Sequence, residues 1–201
     1  ADTGREAPED GVRFYRAAGW SEDALDSYRV RFGGFGKAVS RMPDSYRRLT
    51  DGDVVEIGGR NWRIITGNGH SPEHACLFQP ELDVLISGDQ VLPRISSNVS
   101  VFPTEPDADP LADWLQSCAK LKAALPDSCL VLPAHNEPFH GLHARLDHLI
   151  DSHEKGLARL LKRLTEDKRA VDLFGAMVAR SIGPDLLGMA TGETLAHLNC
   201  L

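Results

Sequence analysis

Three apolar, strand-like runs in this chain each end in a loop that presents a metal-ligating side chain, and that pattern limits the fold more than any other feature. Residues 62–66 run into Gly67-Asn-Gly-His70-Ser-Pro-Glu-His74. Residues 84–86 stop at Ser87-Gly-Asp89-Gln, and residues 129–132 stop at Pro133-Ala-His135-Asn. Strands are stiff, so side chains at their ends can be gathered at one edge of a sheet. His70, Asp89 and His135 then make an N, O, N donor set that suits zinc or a similar divalent ion. Taken singly, each is the kind of residue that more often caps a loop or faces water. Their order and their shared position after a strand carry the metal reading.

Around these runs the period of the apolar residues changes twice. Residues 8–19 and 21–32 read as helices, with Ser21 as N-cap of the second and Gly33-Gly-Phe-Gly36 ending it. From Asp51 the period is two. Val54, Val55 and Ile57 lead into Gly58-Gly59 and back through Trp62, Ile64 and Ile65, which predicts a hairpin. Residues 75–78 and 84–86 predict another. Residues 90–104 form a long loop beside the expected site, where Arg94, Ser96 and Ser97 either line a substrate pocket or make an ordinary polar loop. Asp109-Pro110 opens a helix that Pro126 closes, and residues 141–164 carry a continuous leucine stripe. Beyond it, residues 170–180 predict a helix with Val171, Phe174, Met177 and Val178 inward, and another helix begins at Thr191.

Several function classes are disfavoured by composition. A net charge of −7 over 201 residues argues against nucleic-acid binding through bulk electrostatics. No apolar run approaches the ~20 residues of a membrane span. The four cysteines form no CxxC pair, and Cys76 and Cys129 sit inside apolar runs, which predicts buried free thiols and a reducing, cytoplasmic setting.

The loops resemble the metallo-β-lactamase superfamily. Gly69-His70-Ser-Pro-Glu-His74 is similar to that family's GH[ST]-x-x-H loop, Ser87-Gly88-Asp89 to its SGD strand end, and Pro133-Ala134-His135 to its [PG]-x-H element. The likeness covers roughly residues 54–164 and implies an α/β fold, here the C-terminal half of an αββα sandwich. Residues 165–201, through Met189-Ala-Thr-Gly-Glu-Thr-Leu-Ala-His197-Leu, resemble the start of a helical, winged-helix-like appendage. We therefore expect a domain over 1–164 and an incomplete appendage over 165–201.

Carried over to this sequence, the resemblance makes His70 a ligand of one divalent ion, His135 of a second, and Asp89 the bridge between them. Zinc is the expected metal, with iron or manganese as alternatives. Two such ions generate a hydroxide at neutral pH, which implies a hydrolase acting on an ester, thioester, lactam or phosphodiester. A glyoxalase II-like thioesterase is the narrower alternative, and a non-catalytic binding module or scaffold is the rival class. The family's HxHxDH motif is absent, and no histidine precedes Asp51. With neither end resembling a domain boundary, the expectation is that the missing ligands lie upstream. The chain alone should be inactive, with partial or no metal, and should self-associate or keep an N-terminal fragment bound. A small-molecule substrate is the expected partner, and nucleic acid and membrane are not. His74 reads as a packing residue, while His140, His143, His148 and His153 read as solvated.

Overall fold

The change of period at Asp51 marks the beginning of a five-stranded sheet. The computed structural model describes residues 6–37, 39–177 and 181–201. The strands are β1 (Val54–Ile57), β2 (Arg60–Gly67), β3 (His74–Gln79), β4 (Val84–Gly88) and β5 (Leu130–Pro133), arranged side by side in that order. The first four are antiparallel neighbours, and β5 runs parallel to β4. Gly58 and Gly59 turn β1 into β2 with φ of 60° and 72°, and Ile57 pairs with Arg60 across them. A two-residue turn with both φ positive matches the twist of the strands it joins, and glycine adopts it without strain.

Two helices, α1 (Glu9–Ala17) and α2 (Glu22–Arg31), precede the sheet, and the Ser21 hydroxyl caps α2 from 3.3 Å. A parallel pair needs a crossover, and between β4 and β5 the helix α3 (Pro110–Ala124) supplies it. The Asp109 carboxylate accepts from the Ala112 amide at 3.0 Å, so the expected N-cap is in place. The side chains of α3 and α4 (Leu142–Leu161) cover one face of the sheet. There Cys76, Phe78, Leu85 and Val131 meet Trp114, Leu121, Leu142 and Leu146 in the main core.

On the opposite face, Ile64, Leu77, Ile86 and Leu132 form a row across four strands. Ile64 is buried, Leu77 and Leu132 are half-buried, and Ile86 is 38% exposed. Residues pointing to alternate faces explain why Val131 lies on the helix-covered side and Ile86 does not.

After α4 the chain makes a short 3₁₀ turn (Ala170–Leu173) and α5 (Phe174–Met177), then ends in α6 (Leu187–Asn199). The predicted helix over 170–180 is thus split. Its inward residues include Ala170 and Leu173, and the expected positions Val178 to Arg180 lie outside the described residues. Helix α6 starts four residues before the expected Thr191, because Gly188 and the Thr–Gly pair that read as a start signal are inside it.

Helix α6 packs into the same core as the sheet, through the buried Ala196. The Trp20 indole donates to the Thr191 hydroxyl at 2.9 Å, fastening the α1–α2 corner to this helix. Asn199 Nδ2 donates to the carbonyls of Pro106 and Ala108.

Candidate metal centre

The turn after β4 places Asp89. Gly88 sits at φ 55°, and a Cβ there would fall on His74 Nε2, so both the backbone angle and the neighbour require glycine. The Ser87 hydroxyl, fully buried, donates to the Val91 carbonyl at 2.8 Å and closes the turn around the aspartate. The β5 turn is tied to it, since the Ala134 amide donates to the Gly88 carbonyl at 3.0 Å and brings His135 alongside.

Within this frame the three expected ligands converge. His135 Nε2 lies 3.3 Å from Asp89 Oδ1, and His70 Nε2 lies 3.8 Å from Asp89 Oδ2. The two carboxylate oxygens therefore face different imidazoles. His70 Nδ1 is 2.8 Å from the Asn98 carbonyl, which can only accept, so Nδ1 carries a proton and Nε2 is the nitrogen turned toward Asp89.

These separations test whether ions fit. Two ligand atoms each ~2.1 Å from an ion, at a tetrahedral angle, stand about 3.4 Å apart. The His135 pair stands at that value and the His70 pair about 0.4 Å beyond it. Each gap is furnished with one nitrogen and one oxygen, and among the described residues no group of three His, Cys, Asp or Glu could hold an ion. The residues fit one side of a two-ion centre and complete neither position.

His74 is half-buried beside this cluster. Its Nδ1 meets the Ser71 hydroxyl at 3.2 Å, and its ring and that of His70 are 6.2 Å apart. Burial, and then the nearby His70, push its pKa down, in keeping with a packing role against Gly88. Arg94, a candidate pocket residue, is held by Glu137 at 2.6 Å on the loop after His135. Ser97 donates to the Asp89 backbone carbonyl, and Ser96 lies 3.0 Å from His153 Nε2. A cavity of about 160 Å³ opens beside His70, lined by Asn68, Ser71, Ser100, Phe102, Glu105 and Asp113. A larger one, about 440 Å³, lies between Trp20, Tyr28, Pro184 and Leu187 and shares no residue with the ligands.

The solvated reading of His153 is overturned. It is 5% exposed on the inner face of α4, with Nδ1 3.2 Å from Nε2 of the equally buried His197. Helix α6, distant in sequence, covers that face. His143 is half-buried with its ring on the Leu125 carbonyl, while His140 and His148 are not enclosed in this way. Cys76, Cys118 and Cys129 are buried free thiols, and burial pushes Cys76 and Cys118 up to about 12 and Cys129 to about 11, which leaves them poor nucleophiles.

A sequence model described as the metallo-beta-lactamase superfamily matches residues 8–135. The chain belongs to the metallo-beta-lactamase superfamily. Its fold is similar to the crystal structure of a beta-lactamase domain protein from Burkholderia ambifaria, with 41% identity and a TM-score of 0.87 over 95% of this chain and 55% of that one. It is also similar to a metallo-beta-lactamase family protein from Thermus thermophilus, at 27% identity and a TM-score of 0.76 over 96% of this chain and 58% of that one. Among curated superfamily relatives, an atrochrysone carboxyl ACP thioesterase from Aspergillus terreus is 28% identical over 122 residues, 60% of this chain and 34% of its own length. Lactamase-like protein nscB from Aspergillus fumigatus is 26% identical over 133 residues, 65% of this chain and 37% of its own. The chain thus spans just over half of these structural neighbours and little more than a third of the curated relatives. Among the described residues no helix is long and apolar enough to cross a membrane.

Proposed function

We propose that this chain carries one side of the dinuclear metal centre of a cytoplasmic hydrolase, with acyl thioesters as the leading substrate class. The observation that carries the reading is the Asp89 carboxylate, whose two oxygens address two different imidazoles at 3.3 and 3.8 Å. In this reading His70 would hold one ion, His135 the other, and the Asp89 carboxylate would serve both. The remaining ligands come from an HxHxDH motif in residues outside this chain. Divalent ions bound there, zinc first among them, supply Lewis-acid activation of water and of the bond it attacks. The chain's own residues orient the set. Asn98 fixes the His70 Nδ1 proton, the Ser87 hydroxyl and Gly88 shape the Asp89 turn, and Glu137 holds Arg94.

The thioester preference is supported by the thioesterase named among the relatives. A glyoxalase II-like enzyme would be its narrower form, and esters, lactams and phosphodiesters complete the substrate panel. The test uses the natural full-length protein carrying this chain. We expect two divalent ions per chain by elemental analysis, thioester hydrolysis, and loss of both ions in Asp89→Ala, since that carboxylate would offset the charge of both cations. Full metal content and activity in Asp89→Ala would show the site assignment to be wrong.

A further inference from the structure

The loop between β4 and α3 touches two of the three proposed ligands and is itself held at two points, at Val101 by α6 directly and at Ser96 by α6 through His153 of α4. At one end, the Ser96 hydroxyl is 3.0 Å from His153 Nε2, His153 Nδ1 is 3.2 Å from His197 Nε2, and His197 Nδ1 is 2.8 Å from the Glu193 carbonyl. At the other end, the Val101 amide donates to the Gly192 carbonyl at 3.1 Å. Gly192 there lies so close that an added Cβ would be 2.5 Å from Ser100 Oγ and 2.7 Å from Ser100 Cβ. Between these grips, Ser97 donates to the Asp89 carbonyl and the Asn98 carbonyl accepts from His70 Nδ1.

With both imidazoles neutral, as their burial favours, the hydrogen-bond directions of the first grip follow from its far end. The Glu193 carbonyl can only accept, so His197 Nδ1 carries the proton and Nε2 accepts. A neutral His153 then donates from Nδ1 and accepts at Nε2, and the Ser96 hydroxyl, also 3.3 Å from the Ser97 carbonyl, donates to His153 across the shorter 3.0 Å contact. The chain closes with both imidazoles neutral and each in a single tautomer.

We propose that residues 96–98 are a positioning strap, through which the buried His153–His197 pair and helix α6 hold His70 and Asp89 in metal-binding geometry. None of these side chains touches a metal or substrate. They act through the ligand backbone and the ligand tautomer, as outer-shell partners do, and such partners commonly change metal affinity 10–100-fold. The strap rests on the metal-site reading proposed above.

Zn²⁺ affinity of the full-length protein, measured by competition with a fluorescent chelator, tests it. Ser96→Ala and His197→Phe should each weaken Zn²⁺ binding about tenfold or more, the lower end of outer-shell effects. Ser96→Thr, which keeps the hydroxyl, should restore it. Leu160→Ala, a buried change on the same helix α4, should lower the melting temperature and leave affinity within about threefold. Long-range ¹H–¹⁵N spectra of wild type should place the protons of His153 and His197 on Nδ1. The strap is refuted if Ser96→Ala retains wild-type affinity, if Leu160→Ala weakens binding as much as Ser96→Ala does, or if His197 carries its proton on Nε2. The readings separate through Asp89→Ala. Loss of zinc there with unchanged affinity in Ser96→Ala refutes the strap alone, whereas retention of zinc there refutes the site.

Discussion

His153 is 5% exposed, and burial pushes its pKa from 6.5 down to about 4, with the neighbouring His197 adding to the push. His197 is lowered as well, by burial first. An unfolded chain protonates these imidazoles near pH 6.5, while folded His153 refuses the proton until about pH 4 and His197 also resists it. Between pH ~6.5 and ~4 the unfolded state therefore binds more protons, and stability rises with pH across that window. Acidification through it should remove about 3 kcal/mol for His153 alone, at 1.36 kcal/mol per pH unit of difference. Denaturant unfolding at pH 7.5, 6, 5 and 4.5 should show this slope, and His153→Gln should flatten it. An unchanged slope in His153→Gln would assign the acid sensitivity elsewhere. The convergence of His70, Asp89 and His135 could be read from sequence because each follows a strand-ending Gly or Pro. The His153–His197 pair could not, since its members are forty-four residues apart and meet only when α6 docks.

Helix α6 holds two glycines in opposite surroundings. Gly188 has nothing within 4 Å of an added Cβ, whereas Gly192 would drive one into Ser100. Gly188→Ala should stabilise the protein by up to about 1 kcal/mol, from helix propensity alone. Gly192→Ala gains the same propensity but overpacks the loop contact, and should cost a net ~1–3 kcal/mol. Thermal melts of the two variants should move in opposite directions, and a rise in both would mean the helix does not press on residues 100–101. At this scale the sequence was informative wherever one element supplied its own signal. The Gly58-Gly59 turn, the Asp109-Pro110 cap and the Ser21 cap all stand where their chemistry places them. It was misleading where a signal was shared. Thr191-Gly192 resembles a helix start, yet its glycine is there for close packing and its threonine for Trp20.

For the whole molecule, the sheet is covered by helices on one face, while Ile86 on the other is 38% exposed within a row of apolar residues. We expect the isolated 201-residue chain to self-associate through that face, because apolar area left in water costs roughly 25 cal/mol per Å². Light scattering behind size-exclusion chromatography should find dimers or larger species, and Ile86→Lys should shift them toward monomer. A monodisperse wild-type monomer would exclude it. The division into 1–164 and 165–201 is likewise open to limited proteolysis, with the buried Ala196 and the Trp20–Thr191 bond resisting a clean cut. The grip of α6 on the β4–α3 loop also imposes an order in time. A ribosome makes His70, Asp89 and His135 before it makes Leu187–Asn199, and the interval from His135 to Leu187 lasts roughly 3–10 s at ordinary elongation rates. Throughout that interval the nascent chain has its three candidate ligands but not the helix proposed to steady them. On the proposed strap, an ion captured in that interval should be held more weakly than in the finished protein, by the same factor that Ser96→Ala reads.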